Sequence, residues 1–202
     1  MCVPRRRRDG QVPDWNRLYE LAASQGGYFQ LGQARLAGYS PPLLEYYIRD
    51  GRVERVARGI FRLAHFPPGD HEDLVVAWLW SDRLGVFSHE TALVLHDLSD
   101  ALPAKQHMTV PNAWKRRRLR VPANVVLHFA DLVQKDKIWK GPLPVTTPLR
   151  TLADCAGVSS PPDLVRQAAN EGVKRGLFTR DEVRQEFGTG GRRRRREIRA
   201  SK

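Results

Sequence analysis

Cysteine is scarce in this sequence, because Cys2 and Cys155 are the only two among 202 residues. Two distant cysteines make no disulfide framework and show none of the paired spacings of zinc motifs, which favours a reducing compartment. No apolar run approaches the ~20 residues that a membrane-spanning helix needs. The N-terminal arginines are not followed by an apolar segment, so we expect no secretory signal peptide. We therefore expect a cytoplasmic protein.

Motifs of known catalysis are also missing. The sequence has no G-x-S-x-G nucleophile elbow and no glycine-rich loop ending in G-K-[S/T]. Asp97, Asp100 and Asp131 could form a carboxylate cluster for metal-assisted phosphoryl chemistry, but no lysine stands at the short spacing that many nucleases show. We expect no enzyme activity and no cofactor.

Histidine is present in six copies, without the compact spacing of a zinc motif. His89 and His96 are seven residues apart on one predicted helix and share a face, and a third ligand would have to be His71, His107 or His128. A metal site needs convergent ligands and supporting groups around them. The spacing therefore favours core or surface histidines, and no metal is predicted.

Positive charge is abundant, with 34 lysines and arginines against 22 acidic residues and a net charge of +12. Lysine and arginine release counterions condensed on phosphates, so this balance favours a polyanionic partner. Part of the excess lies in two runs, Arg5–Arg8 and Arg192–Arg196. With 41% hydrophobic and 28% charged residues, the composition of the full sequence is typical of a globular protein.

The segment LGQARLAGYSPPLLEYYIRDGRVERVARGIFRL, residues 31–63, predicts two helices and a hairpin. Gly38 suits the turn of a helix-turn-helix, and Ser40 is a good N-cap with prolines in the first turn after it. Gly51 would end the second helix. Two β-prone runs then flank a bend at Ala57-Arg58-Gly59, which predicts a hairpin. This order is that of a winged helix.

Polar residues of this segment stand where a winged helix meets DNA. We predict that Ser40, Tyr46 and Arg49 face the major groove. We predict that Arg55, Arg58 and Arg62 meet phosphates or the minor groove. The alternative is a solvated arginine rim, since Glu45, Asp50 and Glu54 dilute the charge.

The predicted fold class is α+β, with an N-terminal winged helix-turn-helix followed by a mixed α/β domain. Residues 1–13 form a basic tail that we expect to be disordered, and residues 14–64 form the DNA-binding domain. A break with two prolines and a glycine follows Leu63. Residues 70–187 form the second domain, and residues 188–202 form an arginine-rich tail.

A basic segment lies between two predicted strands, residues 106–110 and 124–129, and is expected to be a hairpin loop. Its members are Trp114, Lys115, Arg116, Arg117, Arg118 and Arg120. One interpretation is a solvated turn. The other is a second contact with phosphates or with an acidic protein face, where Trp114 offers a stacking or cation–π surface. Both remain open.

Several stretches together resemble one family. These are the segment 31–63 with the helix before it, VFSHETALVLHDLSDALP, QHMTVP and LPVTTPLRTLADCA. The chain from about Asp14 to Phe187 resembles the AbiEi-type antitoxins of type IV toxin–antitoxin systems, which act in phage defence. The resemblance implies that the winged helix binds inverted repeats in its own promoter and represses the operon.

The resemblance also implies that the C-terminal domain counters a nucleotidyltransferase-like toxin, without necessarily forming a stable complex. Many proteins with this pattern continue into a Vsr-like endonuclease domain, whereas this sequence ends in an arginine tail, so nuclease activity is not expected. Three alternatives remain, namely a stand-alone winged-helix regulator, a module that binds the toxin directly through residues 114–120, and an inactive remnant of a nuclease fusion.

Overall fold

The computed structural model of the chain describes residues 12–100, 103–157 and 160–187. The chain divides into two compact units between Arg83 and Leu84. Both units combine helices with a sheet, which confirms the predicted α+β class. The two predicted tails lie outside the described residues, except for Val12 and Pro13.

The first unit has the element order of a winged helix-turn-helix. Its elements are α1 (Trp15–Ala23), β1 (Tyr28–Gln30), α2 (Leu31–Leu36), α3 (Pro41–Arg49), β2 (Val53–Ala57), β3 (Ile60–Leu63) and α4 (Glu72–Trp80). The three strands form an antiparallel sheet in the order β1-β3-β2, so that β2 and β3 form the wing and β1 covers its inner edge. The predicted helices and hairpin are thereby confirmed.

Local capping explains where these helices begin and end. The side chain of Asp14 accepts the backbone N–H of Arg17 at 3.0 Å, and Ser40 accepts that of Leu43 at 3.3 Å. Each satisfies one of the amides that the first turn of a helix leaves without a partner. Gly51 follows α3 with a φ of +74°, a backbone conformation that glycine adopts without steric cost.

Helix α4 packs with the first unit, which places the division of the chain later than the break at residues 65–69. The side-chain amide of Gln30 donates to the carbonyl oxygen of Leu79 at 2.7 Å, and Arg62 contacts Glu72 at 3.2 Å. Proline and glycine after Leu63 therefore mark a loop inside the unit.

The second unit is built on a five-stranded mixed sheet. Its elements are β4 (Val86–Phe87), α5 (His89–Leu95), β5 (Gln106–Val110), β6 (Val125–Phe129), β7 (Lys137–Lys140), β8 (Leu143–Thr146), α6 (Pro148–Gly157) and α7 (Pro162–Lys174). The strand order is β6-β5-β4-β8-β7. Residues 180–187 are also helical, and Thr179 and Glu182 form a capping box at the start of this helix. Leu93, Leu152 and Phe178 belong to the buried core between the helices.

One sequence prediction for this unit, the hairpin loop between residues 110 and 124, was wrong. Strands β5 and β6 are parallel, so residues 111–124 cross over between them instead of forming a hairpin loop, and Asn112–Arg116 forms a 3₁₀ helix there. Strand β7 was not predicted. Ser88 precedes α5, but its hydroxyl makes no cap to the helix, because it contacts His89 and Thr109 instead.

Candidate nucleic-acid interface

Helix α3 turns one face into the core of the first unit and the opposite face to solvent. Leu44 is fully buried, and Tyr47 and Ile48 pack against the same core. Tyr46 is 57% exposed and Arg49 is also exposed. Residues three apart on a helix are surface neighbours, so Tyr46 and Arg49 form one outward row.

The wing lies beside this row. Nη2 of Arg55 on β2 is 3.0 Å from a carboxylate oxygen of Glu45, which shares a face of α3 with Arg49 one turn later. Arg58 is exposed in the two-residue turn between β2 and β3, where Gly59 has a φ of +76°. Arginines of the wing and polar residues of α3 therefore adjoin on one side of the first unit.

Arg62 does not join this surface, contrary to the prediction. Its side chain is 14% exposed, and Nη2 donates to the carbonyl oxygen of Phe66 at 2.8 Å and to Glu72 at 3.2 Å. Arg62 belongs to the central strand β3, in register with Tyr28 on one side and Glu54 on the other. Its guanidinium is thereby committed to contacts within the unit and is not presented to a ligand.

Ser40 is half-buried at the start of α3, where its oxygen accepts the N–H of Leu43. A serine hydroxyl that accepts one hydrogen bond keeps its own O–H to donate. Sequence reasoning missed Arg52, which follows α3, pairs with Asp50 at 2.7 Å and lies 5.4 Å from the ring centre of Tyr47. The position of Arg52 in the link between α3 and the wing was the available signal.

In the basic segment of the second unit, residues 114–120, the cationic side chains are exposed to solvent but the tryptophan is buried. Trp114 is only 4% exposed, and the guanidinium carbon of Arg117 lies 4.8 Å from its ring centre. The interpretation in which Trp114 offers a stacking surface to a partner is therefore not supported, since the ring is covered and packed inside. The exposed cations are Lys115, Arg116, Arg117, Arg118 and Arg120.

The histidines that lie together in the second unit are not the pair that helical spacing suggested. His96 is buried, and its Nε2 lies 2.7 Å from the carbonyl oxygen of Thr146, so it does not converge with His89. His89 instead meets His107 and His128, and one ring nitrogen from each lies within 4.8 Å of the others. This grouping joins α5, β5 and β6, which helical spacing cannot reveal.

Burial disfavours the charged form of His107 and His128. It lowers the pKa of His107. It lowers the pKa of His128 to about 4, with a smaller contribution from His107 beside it. Nδ1 of His107 and Nε2 of His128 are 3.0 Å apart, which requires one nitrogen to donate and the other to accept.

Comparison with known proteins bears on both units. The family model for the transcriptional regulator, AbiEi antitoxin, matches residues 16–64. The crystal structure of the RV2827C protein from Mycobacterium tuberculosis is similar in fold, with a TM-score of 0.52 and 15% sequence identity, over 86% of this chain and 71% of that one. No curated protein matches the sequence.

Among the described residues, no helix is long and apolar enough to cross a membrane. The family match covers α1 to β3, the part of the chain in which the winged-helix elements are found. Over residues 16–64, the chain is therefore similar to the AbiEi antitoxin family of transcriptional regulators.

Proposed function

We propose that this protein binds double-stranded DNA through α3 and the wing, and that it represses its own operon as an AbiEi-type antitoxin. The observation that carries the proposal is the exposed row of Tyr46 and Arg49 on α3, beside a wing that ends in Arg58. The family match to a transcriptional regulator supports the same conclusion. The net charge of +12 favours a phosphate-rich partner.

The roles follow from the position of each side chain. Tyr46 and Arg49 project from the helix that a winged helix places in the major groove, where an arginine can bind a guanine edge with two hydrogen bonds. Arg55 and Arg58 extend from the wing and contact phosphates, which orients the protein without reading sequence. Ser40 donates its hydroxyl to a phosphate near the start of α3.

The test is fluorescence anisotropy with a duplex from the promoter of the protein's own operon. Arg49→Ala should weaken binding to that duplex more than to a scrambled one, by about 1–3 kcal/mol. Arg58→Ala should weaken binding to both and lower the salt slope by about one. Arg166→Ala is the matched control, because Arg166 on α7 is 75% exposed and its replacement also removes one positive charge.

Two results would contradict the assignment. One is unchanged promoter affinity in both Arg49→Ala and Arg58→Ala. The other is an equal loss in Arg166→Ala, which would mean that binding depends on net charge alone.

For the second unit, we propose that it counters a nucleotidyltransferase-like toxin without enzyme activity of its own. The supporting observation is the run of exposed cations at residues 115–120, a surface suited to an acidic face or to phosphates. In cells whose growth is arrested by a nucleotidyltransferase-like toxin from a neighbouring gene, co-expression of this chain should restore growth.

The two routes to rescue can be separated. Replacing Lys115, Arg116 and Arg118 with serine should abolish rescue and co-purification if the cations bind the toxin directly. Rescue without a complex, lost instead in Arg49→Ala, would favour action through repression. If the native chain does not rescue growth, the antitoxin role is contradicted, and a stand-alone winged-helix regulator is the remaining interpretation.

A further inference from the structure

Three imidazoles converge in the second unit, whereas the proposed DNA contacts on α3 and the wing belong to the first. His107 and Thr109 lie on the same face of β5, since side chains alternate along a strand. His128 of β6 is in register with Thr109, so its ring joins that of His107 on this face. His89 at the start of α5 completes the group, with its ring centre 3.5 Å from that of His128.

We propose that His89, His107 and His128 form a binding site for a divalent transition metal ion of the zinc class. Nothing in the proposed DNA-binding function requires this site. The spacing of His89 and His96 along one helix did not predict a metal site. The histidines that converge come instead from α5, β5 and β6.

The nitrogen spacing is close to what zinc requires. Zn–N bonds of about 2.0–2.1 Å in a tetrahedral site place two ligand nitrogens about 3.3 Å apart. Nδ1 of His107 and Nε2 of His128 are 3.0 Å apart, and the widest separation in the group is 4.8 Å. Since His89 and His128 stack at an interplanar angle of 16°, one of these rings must turn to direct its lone pair at the same point as the other.

The surroundings of His89 match those of a metal-ligating histidine. Nδ1 of His89 lies 2.9 Å from Oγ of Ser88, and Thr109 donates to the same oxygen at 2.7 Å. In the tautomer in which Nδ1 of His89 donates to Ser88, Nε2 carries the lone pair that a metal ion binds, and Ser88 orients the ring. The backbone of His89 has a φ of +53°, an unfavourable conformation for a residue with a Cβ atom, and such strain is concentrated at functional sites.

The ligand chemistry selects the metal class. Imidazole nitrogens suit zinc, copper, nickel and cobalt, whereas magnesium and calcium prefer oxygen ligands. Metal binding requires the hydrogen between His107 and His128 to move to the outer nitrogen of its ring, so no proton is released overall. Three protein ligands leave the fourth position of a tetrahedral zinc ion to water or to a group from a partner.

The experiment uses the full chain without a histidine tag, stripped with a chelator and titrated with Zn²⁺ by calorimetry. Binding of one Zn²⁺ per chain is expected, with the visible absorption of a tetrahedral site when Co²⁺ is used instead. His107→Gln and His128→Gln should each weaken Zn²⁺ binding by more than about 100-fold, beyond the usual effect of outer ligands. Ser88→Ala should weaken it by about 10-fold. His71→Gln, which removes an exposed histidine outside the group, should bind like the native chain.

Thermal unfolding provides a second measurement. Zn²⁺ should raise the Tm of the native chain and of His71→Gln but not that of the folded His128→Gln variant, because a ligand stabilises only a state that binds it. The proposal is overturned if the native chain binds no Zn²⁺, or if both triad variants retain native affinity. Neither result bears on DNA binding, which is measured separately.

Discussion

Arg55 on the wing and Glu45 on α3 form an ion pair of 3.0 Å across the junction of the two elements. Both side chains are about half exposed, so the pair adds little to the free energy of folding. Its importance lies in its position, because Glu45 carries a negative charge on the face of α3 that also bears Arg49. If DNA binds as proposed, this carboxylate repels the approaching phosphates, and it already pairs with the guanidinium of Arg55.

Replacing Glu45 with glutamine should therefore strengthen DNA binding. Removal of the charge frees Arg55 and ends the repulsion, and we expect an affinity gain of about 1 kcal/mol, or roughly fivefold, at low salt. Anisotropy titrations at two salt concentrations measure the change. Asp163→Asn is the control, since it breaks the exposed pair of Arg166 and Asp163 on α7 at the same change in charge. Equal gains in both variants would show a general charge effect.

Arg62 should affect stability where Arg58 does not. Arg62→Met removes the donor to Phe66 and the partner of Glu72, with an expected loss of about 1–3 kcal/mol in the free energy of unfolding. Arg58→Met in the exposed turn should change it by less than about 0.5 kcal/mol. Urea denaturation measures both. Native stability in Arg62→Met would show that these bonds contribute nothing.

The stability of the second unit should fall as the solution is acidified. Burial lowers the pKa of His96 in the folded chain, so the unfolded chain binds more protons below its ordinary value of 6.5. The stabilisation that results from this difference is complete above pH 6.5. It is lost progressively as the pH falls toward the pKa of His96 in the folded chain. Buried His107 and His128 add to the loss with the same sign.

His96→Gln tests this pH dependence. The glutamine amide can still donate to Thr146 and does not titrate. The difference in unfolding free energy between roughly pH 7.5 and 5.0 should therefore be smaller than in the native chain. An unchanged difference would assign the acid sensitivity to other groups.

A pair of glycine substitutions distinguishes packing from helix propensity. A Cβ added to Gly172 on α7 would lie 2.1 Å from the ring of Phe178, which is buried, so Gly172→Ala should cost about 1–3 kcal/mol. At Gly32 on α2 nothing lies within 4 Å of the added atom. Gly32→Ala should stabilise the helix by about 0.5–1 kcal/mol. Thermal unfolding of the two variants should shift Tm in opposite directions.

The winged helix could be predicted because its signals are local. Ser40 caps the helix that it precedes, Gly51 ends that helix, and Gly59 turns the hairpin within a few residues of the strands it joins. Neighbouring residues decide such features, so a single sequence contains them. The burial of Arg62 depended on α4 and on the strand beside it, and local pattern could not show this.

The second unit shows the opposite case. Its β5–β6 and β4–β8 pairings are parallel, and parallel neighbours require crossovers that leave no short turn signature. The segment between β5 and β6 contains turn-like and basic residues, which led to the hairpin prediction. The three converging histidines were individually visible, but only the strand register brings them together.

The sheet order also has a consequence for synthesis on the ribosome. All elements of the first unit, including α4, have emerged once Arg83 has left the exit tunnel, so this unit can fold while the remainder is being translated. The two-residue strand β4 lies between β5 and β8. Its pairing with β8 cannot form until Leu143–Thr146 has been synthesised. A nascent chain that stalls between these points would therefore carry a complete first unit and a second sheet in which one edge of β4 is still unpaired.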